Sequence, residues 1–108
     1  MSQVVVVATF KLREGQEEAA HAAFASFAEQ THGEAGCLAY AMHTDPQDPL
    51  AVVGIERWES QDALDSHFQQ PYVTELLARA DEILALPPDI RVLAPVPHGD
   101  PAKGTLRR

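Results

Sequence analysis

The sequence predicts an α+β domain, with an antiparallel sheet carrying its helices on one face in the split βαβ arrangement of ferredoxin-like folds. Two observations support this. Stretches rich in β-branched and apolar residues alternate with stretches of helical periodicity, and their order along the chain is β, α, β, β, α, β. The second helical stretch is interrupted by Pro71. With 108 residues, the chain is long enough for one domain.

The N-terminal part supplies the first strand and the first helix. Residues 3 to 12 are mostly β-branched and apolar, and they end at a turn signal around Gly15. From Gln16 the periodicity becomes helical and places four side chains on one face: Ala20, Phe24, Phe27 and Thr31. The helix is expected to end near Gly33.

The middle of the chain predicts a β-hairpin followed by a short helix. Residues 37 to 44 and 50 to 59 have strand character, and the segment between them is polar and contains two prolines. In the first strand of this hairpin, Leu38, Tyr40 and Met42 share one face. Ser60 is a good N-cap, so a helix is expected from about 61 to 69.

The C-terminal part predicts one more helix and one more strand. Apolar residues recur at helical spacing from about 72 to 84, Pro87 and Pro88 end this pattern, and residues 90 to 96 resemble a strand. We therefore place the domain at residues 1–96. Residues 97–108 form a C-terminal tail, which is expected to be flexible or packed on a partner subunit.

Composition and charge exclude several classes of function. Hydrophobic residues make up 45% and charged residues 22%, which is typical of a globular protein rather than a disordered one. A net charge of −8 argues against nucleic-acid and anionic-membrane partners, which need clustered Lys and Arg. Cys37 is the single cysteine and no metal-ligand spacing occurs, so a cytoplasmic protein without a metal site is expected.

The junction between the third strand and the following helix is the best candidate for a site. His67 lies three residues after Leu64 on the apolar side of its helix, and its imidazole suits a general base or a buried structural role. Trp58 is expected to be a core or pocket-wall residue. Arg57, on the opposite face of the strand, is suited to an anionic oxygen or to an ion pair between subunits.

Three further aromatic side chains are candidates for substrate contact. Tyr40 and Tyr72 carry hydroxyls that can hydrogen-bond a carbonyl, and either can equally fill the core. Phe24 lies on the core face of the first helix, which in this fold also lines the space between helices and sheet. Cys37 has no neighbouring base in the sequence and is expected to be a structural residue.

Three phrases of the sequence, in this order and spacing, resemble the antibiotic biosynthesis monooxygenase family, in particular its small quinol-monooxygenase-like members. They are Phe10-Lys11-Leu12-Arg13-Glu14-Gly15, Glu34-Ala35-Gly36-Cys37-Leu38-Ala39-Tyr40 and Glu56-Arg57-Trp58-Glu59-Ser60. The resemblance covers about residues 3 to 94. It implies a homodimer whose sheets join into a dimeric α+β barrel.

The resemblance also implies an activity, the oxygenation of a small aromatic phenol or quinol by dioxygen without cofactor. His67 would then be the catalytic proton acceptor, and the substrate-binding residues would be Trp58, Tyr40, Tyr72, Phe24 and Arg57. Two alternatives stay open, an isomerase of a small carbonyl compound and a non-catalytic dimeric binding or stress-linked protein.

Two branches of the family fit the sequence less well. The positions that serve haem degradation align with Ala8, His67 and Leu77, none of which carries the required side chain. The isomerases of a phosphorylated autoinducer share His67 but have a second histidine where this chain has Tyr72, and no basic cradle for a phosphate is evident.

Overall fold

A computed structural model describes residues 3 to 106 of the chain. Within them the elements are four strands and four helices: β1 (Val4–Lys11), α1 (Glu17–His32), β2 (Cys37–Asp45), β3 (Asp48–Trp58), α2 (Gln61–Phe68), α3 (Pro71–Ala78), α4 (Ala80–Ile83) and β4 (Asp89–Leu93). No helix among these residues is long and apolar enough to cross a membrane.

The four strands form one sheet in the order β2-β3-β1-β4, with antiparallel neighbours throughout. The ferredoxin-like α+β prediction is therefore confirmed. β2 and β3 form the expected hairpin, which pairs Asp45 with Asp48 across a two-residue turn. The helical N-cap is also as expected, since the Ser60 side chain accepts a hydrogen bond from the Ala63 N–H (3.1 Å).

The core lies between the helices and one face of the sheet. Strand alternation places Val6, Val52 and Trp58 on this face, and all three are fully buried. Each of the four helices contributes to the core, through side chains that include Phe24, Phe27, Leu64, Val73 and Ile83. Burial of this face is the main contribution to the stability of the fold.

The second face of the sheet is also apolar, but its side chains are only partly buried. Ile55 on β3 has Val7 of β1 as its neighbour on one side and Ala41 of β2 as its neighbour on the other. Val5, Val7, Val53 and Ile55 are half-buried in the single chain, and none belongs to the core clusters. We refer to the surface formed by these four side chains with Ala41 as the open face.

The helical region after Pro71 is divided into two helices, where the sequence predicts one. α3 ends at Ala78 and a separate single turn, α4, follows, whereas the apolar periodicity indicated one helix from 72 to 84. The chain must turn back towards the end of β1, where Leu84 forms a bridge with Leu12. The Ala85 N–H then donates to the Lys11 carbonyl (2.8 Å), so pairing with the end of β1 follows directly after α4.

Two irregular features complete the fold. β2 contains a register shift between Cys37 and Ala39, which pair with consecutive β3 residues, Trp58 and Arg57, so Leu38 is an extra residue on its strand. In the tail, the Asp100 carbonyl accepts hydrogen bonds from two backbone N–H groups that follow it. The proposed contact of the tail with a partner subunit stays a prediction.

Candidate functional site

The candidate site is organised by the imidazole of His67. Its helix, α2, begins at the capped Ser60 and places Leu64 and His67 on the same buried side. His67 is only 2% exposed. A buried imidazole needs a hydrogen-bond partner, and this ring has one at Nδ1.

That partner is Glu34, in the turn between α1 and β2. Its Oε2 lies 2.7 Å from Nδ1 of His67, and it also accepts a hydrogen bond from the Tyr72 hydroxyl. An ionised carboxylate only accepts hydrogen bonds, so Nδ1 of His67 is the donor in this pair and Nε2 is the ring nitrogen that remains for another partner. Among residues 3 to 106, the ring has no other hydrogen bond.

Aromatic rings hold the imidazole on its remaining sides. The Trp58 ring centroid is 4.6 Å from that of His67, Phe68 is at 5.4 Å and Phe27 contacts the ring edge-on at 5.7 Å. These contacts and the bond to Glu34 leave the ring little freedom to rotate. The orientation of Nε2 is therefore fixed by packing as well as by hydrogen bonding.

A second carboxylate, Glu56 on β3, lies on the same side of the sheet. Its Oε1 accepts a hydrogen bond from the Trp58 indole N–H (2.9 Å), and the residue is 7% exposed. Burial raises the pKa of the Glu56 carboxyl; the Trp58 hydrogen bond and nearby His67 oppose the shift, and the charge of Glu34 adds to it. Both carboxylates therefore lie near His67, but Glu34 is half-buried and hydrogen-bonds the ring, whereas Glu56 is buried and hydrogen-bonds Trp58.

A cavity of about 50 Å³ lies between the helices and the sheet, with His67 in its wall and the exposed side chains of Leu77 and Ile90 at its edge. Its polar lining consists of His67, Glu56 and Tyr40, and the rest is apolar: Ala8, Phe10, Phe24, Phe27, Phe68, Val73, Leu76, Leu77 and Ile90. Burial raises the pKa of Tyr40 far above its ordinary value, so its hydroxyl stays protonated. The cavity can therefore present His67 as a base and the Tyr40 hydroxyl as a hydrogen-bond donor to a small, largely apolar ligand.

The sequence profile of the family described as antibiotic biosynthesis monooxygenase matches residues 3–79, which is well over half of the chain. The chain belongs to the antibiotic biosynthesis monooxygenase family. The Synechocystis sp. protein sll1783 is 30% identical over 82% of this chain, and the chain spans only 60% of that relative's length.

Two solved structures of relatives also match. Rv0793 from Mycobacterium tuberculosis is 33% identical in sequence over 88% of this chain and 93% of its own. Its structure superposes with a TM-score of 0.84, at 30% identity, over 92% of this chain and 100% of its own. SO0527 from Shewanella oneidensis gives a TM-score of 0.82 at 28% identity, over 86% and 90% of the two chains.

In this member of the antibiotic biosynthesis monooxygenase family, five of the six suggested site residues lie together. His67, Tyr40 and Phe24 line the cavity, and Trp58 lies against the His67 ring. Tyr72 reaches the site through Glu34 and does not line the cavity itself. Tyr72 would therefore contact a substrate, as the sequence predicts, only if side chains of the cavity wall moved.

Arg57 lies apart from the other five. It is on the opposite face of β3, is 7% exposed and donates a hydrogen bond from a terminal guanidinium nitrogen to the Gln3 side chain (2.7 Å). Its Nε is buried and has no partner among the described residues. The sheet separates this guanidinium from the cavity.

Two site residues, Glu34 and Glu56, were not selected from the sequence. Glu56 had a signal, because strand alternation places it on the same face as the buried Trp58, where a carboxylate is unusual. Glu34 lies in a turn, where no periodicity indicates the direction of a side chain.

Cys37 is predicted from the sequence to be a structural residue, and its surroundings are those of a weakly reactive thiol. It is half-buried beside the core, and burial raises the pKa of its thiol, with the charges of Glu56 and Glu34 adding to the effect. A thiol held protonated is a weak nucleophile. Within residues 3 to 106, no three His, Cys, Asp or Glu side chains come together as metal ligands would.

Proposed function

We propose that this protein is a cofactor-independent monooxygenase that oxidises a small aromatic phenol or quinol with dioxygen. The observation that carries the proposal is the His67 imidazole, which is held at Nδ1 and lies in the wall of a largely apolar cavity. Membership of the antibiotic biosynthesis monooxygenase family supports the reaction class.

In the proposed reaction, Nε2 of His67 accepts a proton from the bound substrate. The charge of Glu34 stabilises the imidazolium that forms, and the apolar walls keep water away from the substrate anion. The anion supplies the electrons and dioxygen is the oxidant. For a ring CH₂ group, one oxygen atom forms the new carbonyl and the other leaves as water with the two hydrogens.

The size of the cavity restricts how a substrate enters. About 50 Å³ is far below the ~300 to 1,000 Å³ of typical ligand sites. Phe27 and Leu76 of the cavity wall also line a cleft of about 260 Å³ between α1 and α3, and Leu77 lines another of about 350 Å³. We expect the substrate to displace the side chains of α3, which joins the cavity to a cleft.

The small cavity also favours a second candidate, an isomerase of a small carbonyl compound. Such a reaction needs an acid and a base that act on the same substrate. His67 and Glu56 both line the cavity, and burial raises the pKa of Glu56, which suits the role of the acid. A non-catalytic dimeric binding protein is the remaining alternative, in which His67 only stabilises the fold.

A homodimer is part of the proposal. Small domains bury a modest fraction of their surface, and the half-buried valines and Ile55 of the open face are left without cover in one chain. Two open faces packed together would bury them and form the dimeric α+β barrel. The chain's acidic charge gives no support for nucleic acid or membrane as the partner.

Oxygen uptake tests the proposal. Metal-free protein is mixed with a panel of reduced naphthoquinols and anthrones, and the rate is compared with autoxidation, with His67→Ala and with His21→Ala, an exposed histidine on α1. The proposal predicts stimulated uptake that His67→Ala abolishes and His21→Ala retains. Isomerised product without oxygen consumption would support the isomerase, and no turnover with a destabilised His67→Ala would support the binding protein.

A further inference from the structure

The cavity beside His67 is open at one edge. Two of its lining side chains, Leu77 on α3 and Ile90 on β4, are 45% and 37% exposed. Towards the α1–α3 cleft, by contrast, the cavity wall consists of the buried Phe27 and the half-buried Leu76. A ligand that moves towards His67 therefore displaces the least packing where it enters between α3 and β4.

A second, larger space begins at the same edge. The cleft of about 350 Å³ is formed by α3, α4 and the segment that leads to β4. It shares one lining residue with the cavity, Leu77. We refer to this space as the Leu77 cleft. Cavity and cleft together offer a narrow site beside the base and a wider apolar space next to it.

The Leu77 cleft has a mainly apolar lining on a well-anchored backbone. Leu84, which lines it, is buried and is held by the bridge to Leu12. Of the described residues that line the cleft, Arg13 alone is cationic, and its Nε donates a hydrogen bond to the Asp81 carbonyl (2.7 Å). Leu86, also in the lining, is 61% exposed. Leucines left exposed around one space are typical of a binding surface for an apolar group.

We propose that the Leu77 cleft binds an apolar chain carried by the substrate, and that the preferred substrates are phenols or quinols with an unbranched alkyl substituent. The reacting ring lies in the cavity against His67, and the chain passes Leu77 into the cleft. A flexible chain fits this junction better than a further fused ring, because cavity and cleft meet at one side chain and a rigid planar ring system cannot bend around it. Leu77 is then a specificity-determining residue.

This inference rests on the proposed function for the reaction of the ring, and it adds the class of substituent. Its energetic basis is the removal of the alkyl chain and of the exposed leucines from water. Because the cleft stays open to solvent on one side, each methylene group should strengthen binding by about two- to fourfold. The increase should stop once the chain is longer than the cleft.

Binding of a graded series tests the cleft without turnover. The probes are naphthoquinones that carry one alkyl chain, from methyl to heptyl, and they are already oxidised and cannot supply electrons to dioxygen. Trp58 is the single tryptophan and its ring contacts His67, so quenching of its fluorescence reports a ring bound in the cavity. The expected result is a Kd that falls with each added methylene and then levels off. A Kd that is independent of chain length would overturn the proposal.

Three variants locate the bound chain. Leu77→Gln keeps a good helix former of similar size and should remove the gain in affinity from the first methylenes onward. Leu86→Gln changes a residue that lines the cleft but not the cavity, so only the longer probes should bind more weakly. Leu106→Gln, at a leucine that is 54% exposed and lines neither space, should leave the whole series unchanged. An undiminished dependence on chain length in Leu77→Gln would overturn the proposal.

Oxygen uptake with the corresponding alkyl quinols separates this inference from the proposed function. We expect kcat/KM to rise with chain length in the native chain and to stay level in Leu77→Gln. If all homologues are oxidised with the same kcat/KM, the proposed function stands and the alkyl-chain site is overturned. If the Kd of the quinone probes depends on chain length through Leu77 but no quinol is oxidised, the proposed function fails and the alkyl-chain site stands.

Discussion

At the scale of single residues, the site depends on two carboxylates with different tasks. Glu34 pairs with a group that can become positively charged, whereas Glu56 satisfies the Trp58 indole in a desolvated position. Environment, rather than residue type, separates a charge-stabilising carboxylate from one whose ionisation is disfavoured. The two should therefore respond in opposite ways to loss of charge.

Glu56→Gln should stabilise the protein at neutral pH. The folded-state pKa of Glu56 is raised, so ionisation costs stability as the pH rises above the unfolded-state value, and the cost disappears at acid pH where both states are protonated. Gln keeps an acceptor for Trp58. Urea unfolding over a pH series should give the variant a higher free energy of unfolding than the native chain at neutral pH, and the difference should shrink as the pH falls. A lower free energy of unfolding at every pH would contradict this prediction.

Glu56→Ala is the matched control for the hydrogen bond. It removes the acceptor as well as the charge and leaves the buried Trp58 N–H without a partner. We expect a destabilisation of about 1–3 kcal/mol. Stability equal to that of Glu56→Gln would mean that the indole finds another partner.

At the scale of elements, the site depends on how the short helix α2 is held. Eight residues are too few for a helix that is stable by itself, so capping and packing must fix it. The Ser60 cap holds its first turn, and its last turn carries His67. The angle of this helix against β2 and β3 therefore decides where the imidazole lies.

Ser60→Ala should lower the free energy of unfolding by about 0.5–2 kcal/mol, because the Ala63 N–H loses its side-chain acceptor. Ser66→Ala makes the same change at an exposed position of the same helix and should stay within about 0.5 kcal/mol of the native chain. Chemical denaturation of both variants measures the difference. Equal effects would mean that the cap contributes no more than helix propensity does.

Gly36→Ala should displace α2. A Cβ at this position would lie 2.4 Å from the Ala63 Cβ, too close for either backbone to stay in place. Gly33→Ala, three residues earlier, would meet only a backbone oxygen at 3.4 Å and should be tolerated. Thermal unfolding and Trp58 fluorescence, which reports the contact with His67, compare the two. A Gly36→Ala protein with native stability and fluorescence would contradict the close packing.

At the scale of the whole molecule, the sequence predicted the fold more completely than the site. The alternation of strand and helix periods was sufficient for element order and sheet type, and His67 was found because it lies on an apolar helix face. The break at Arg79 was missed, since the apolar spacing continues through this residue. Glu34 was missed because only the tertiary structure brings its turn to α2.

Ile55→Lys tests the proposed homodimer. A charge at the centre of the open face should prevent two sheets from packing together, because an unpaired buried lysine is costly. The expected result is a monomer in sedimentation analysis, with β-sheet circular dichroism retained. Ala22→Lys, exposed on α1, adds the same charge away from the open face and should leave the dimer intact. A native chain that sediments as a monomer would contradict the proposed dimer.

The extra residue in β2 limits how the length of this strand can vary. Cys37 and Tyr40 are three positions apart, yet both contact the core, because the irregularity at Leu38 restores the phase of the alternation. Deleting Leu38 would leave these two residues two positions apart in a regular strand, so both would still face the core, whereas inserting a residue would turn one of them towards the open face. Natural variants of this chain should therefore tolerate the loss of one residue at this point more readily than the gain of one.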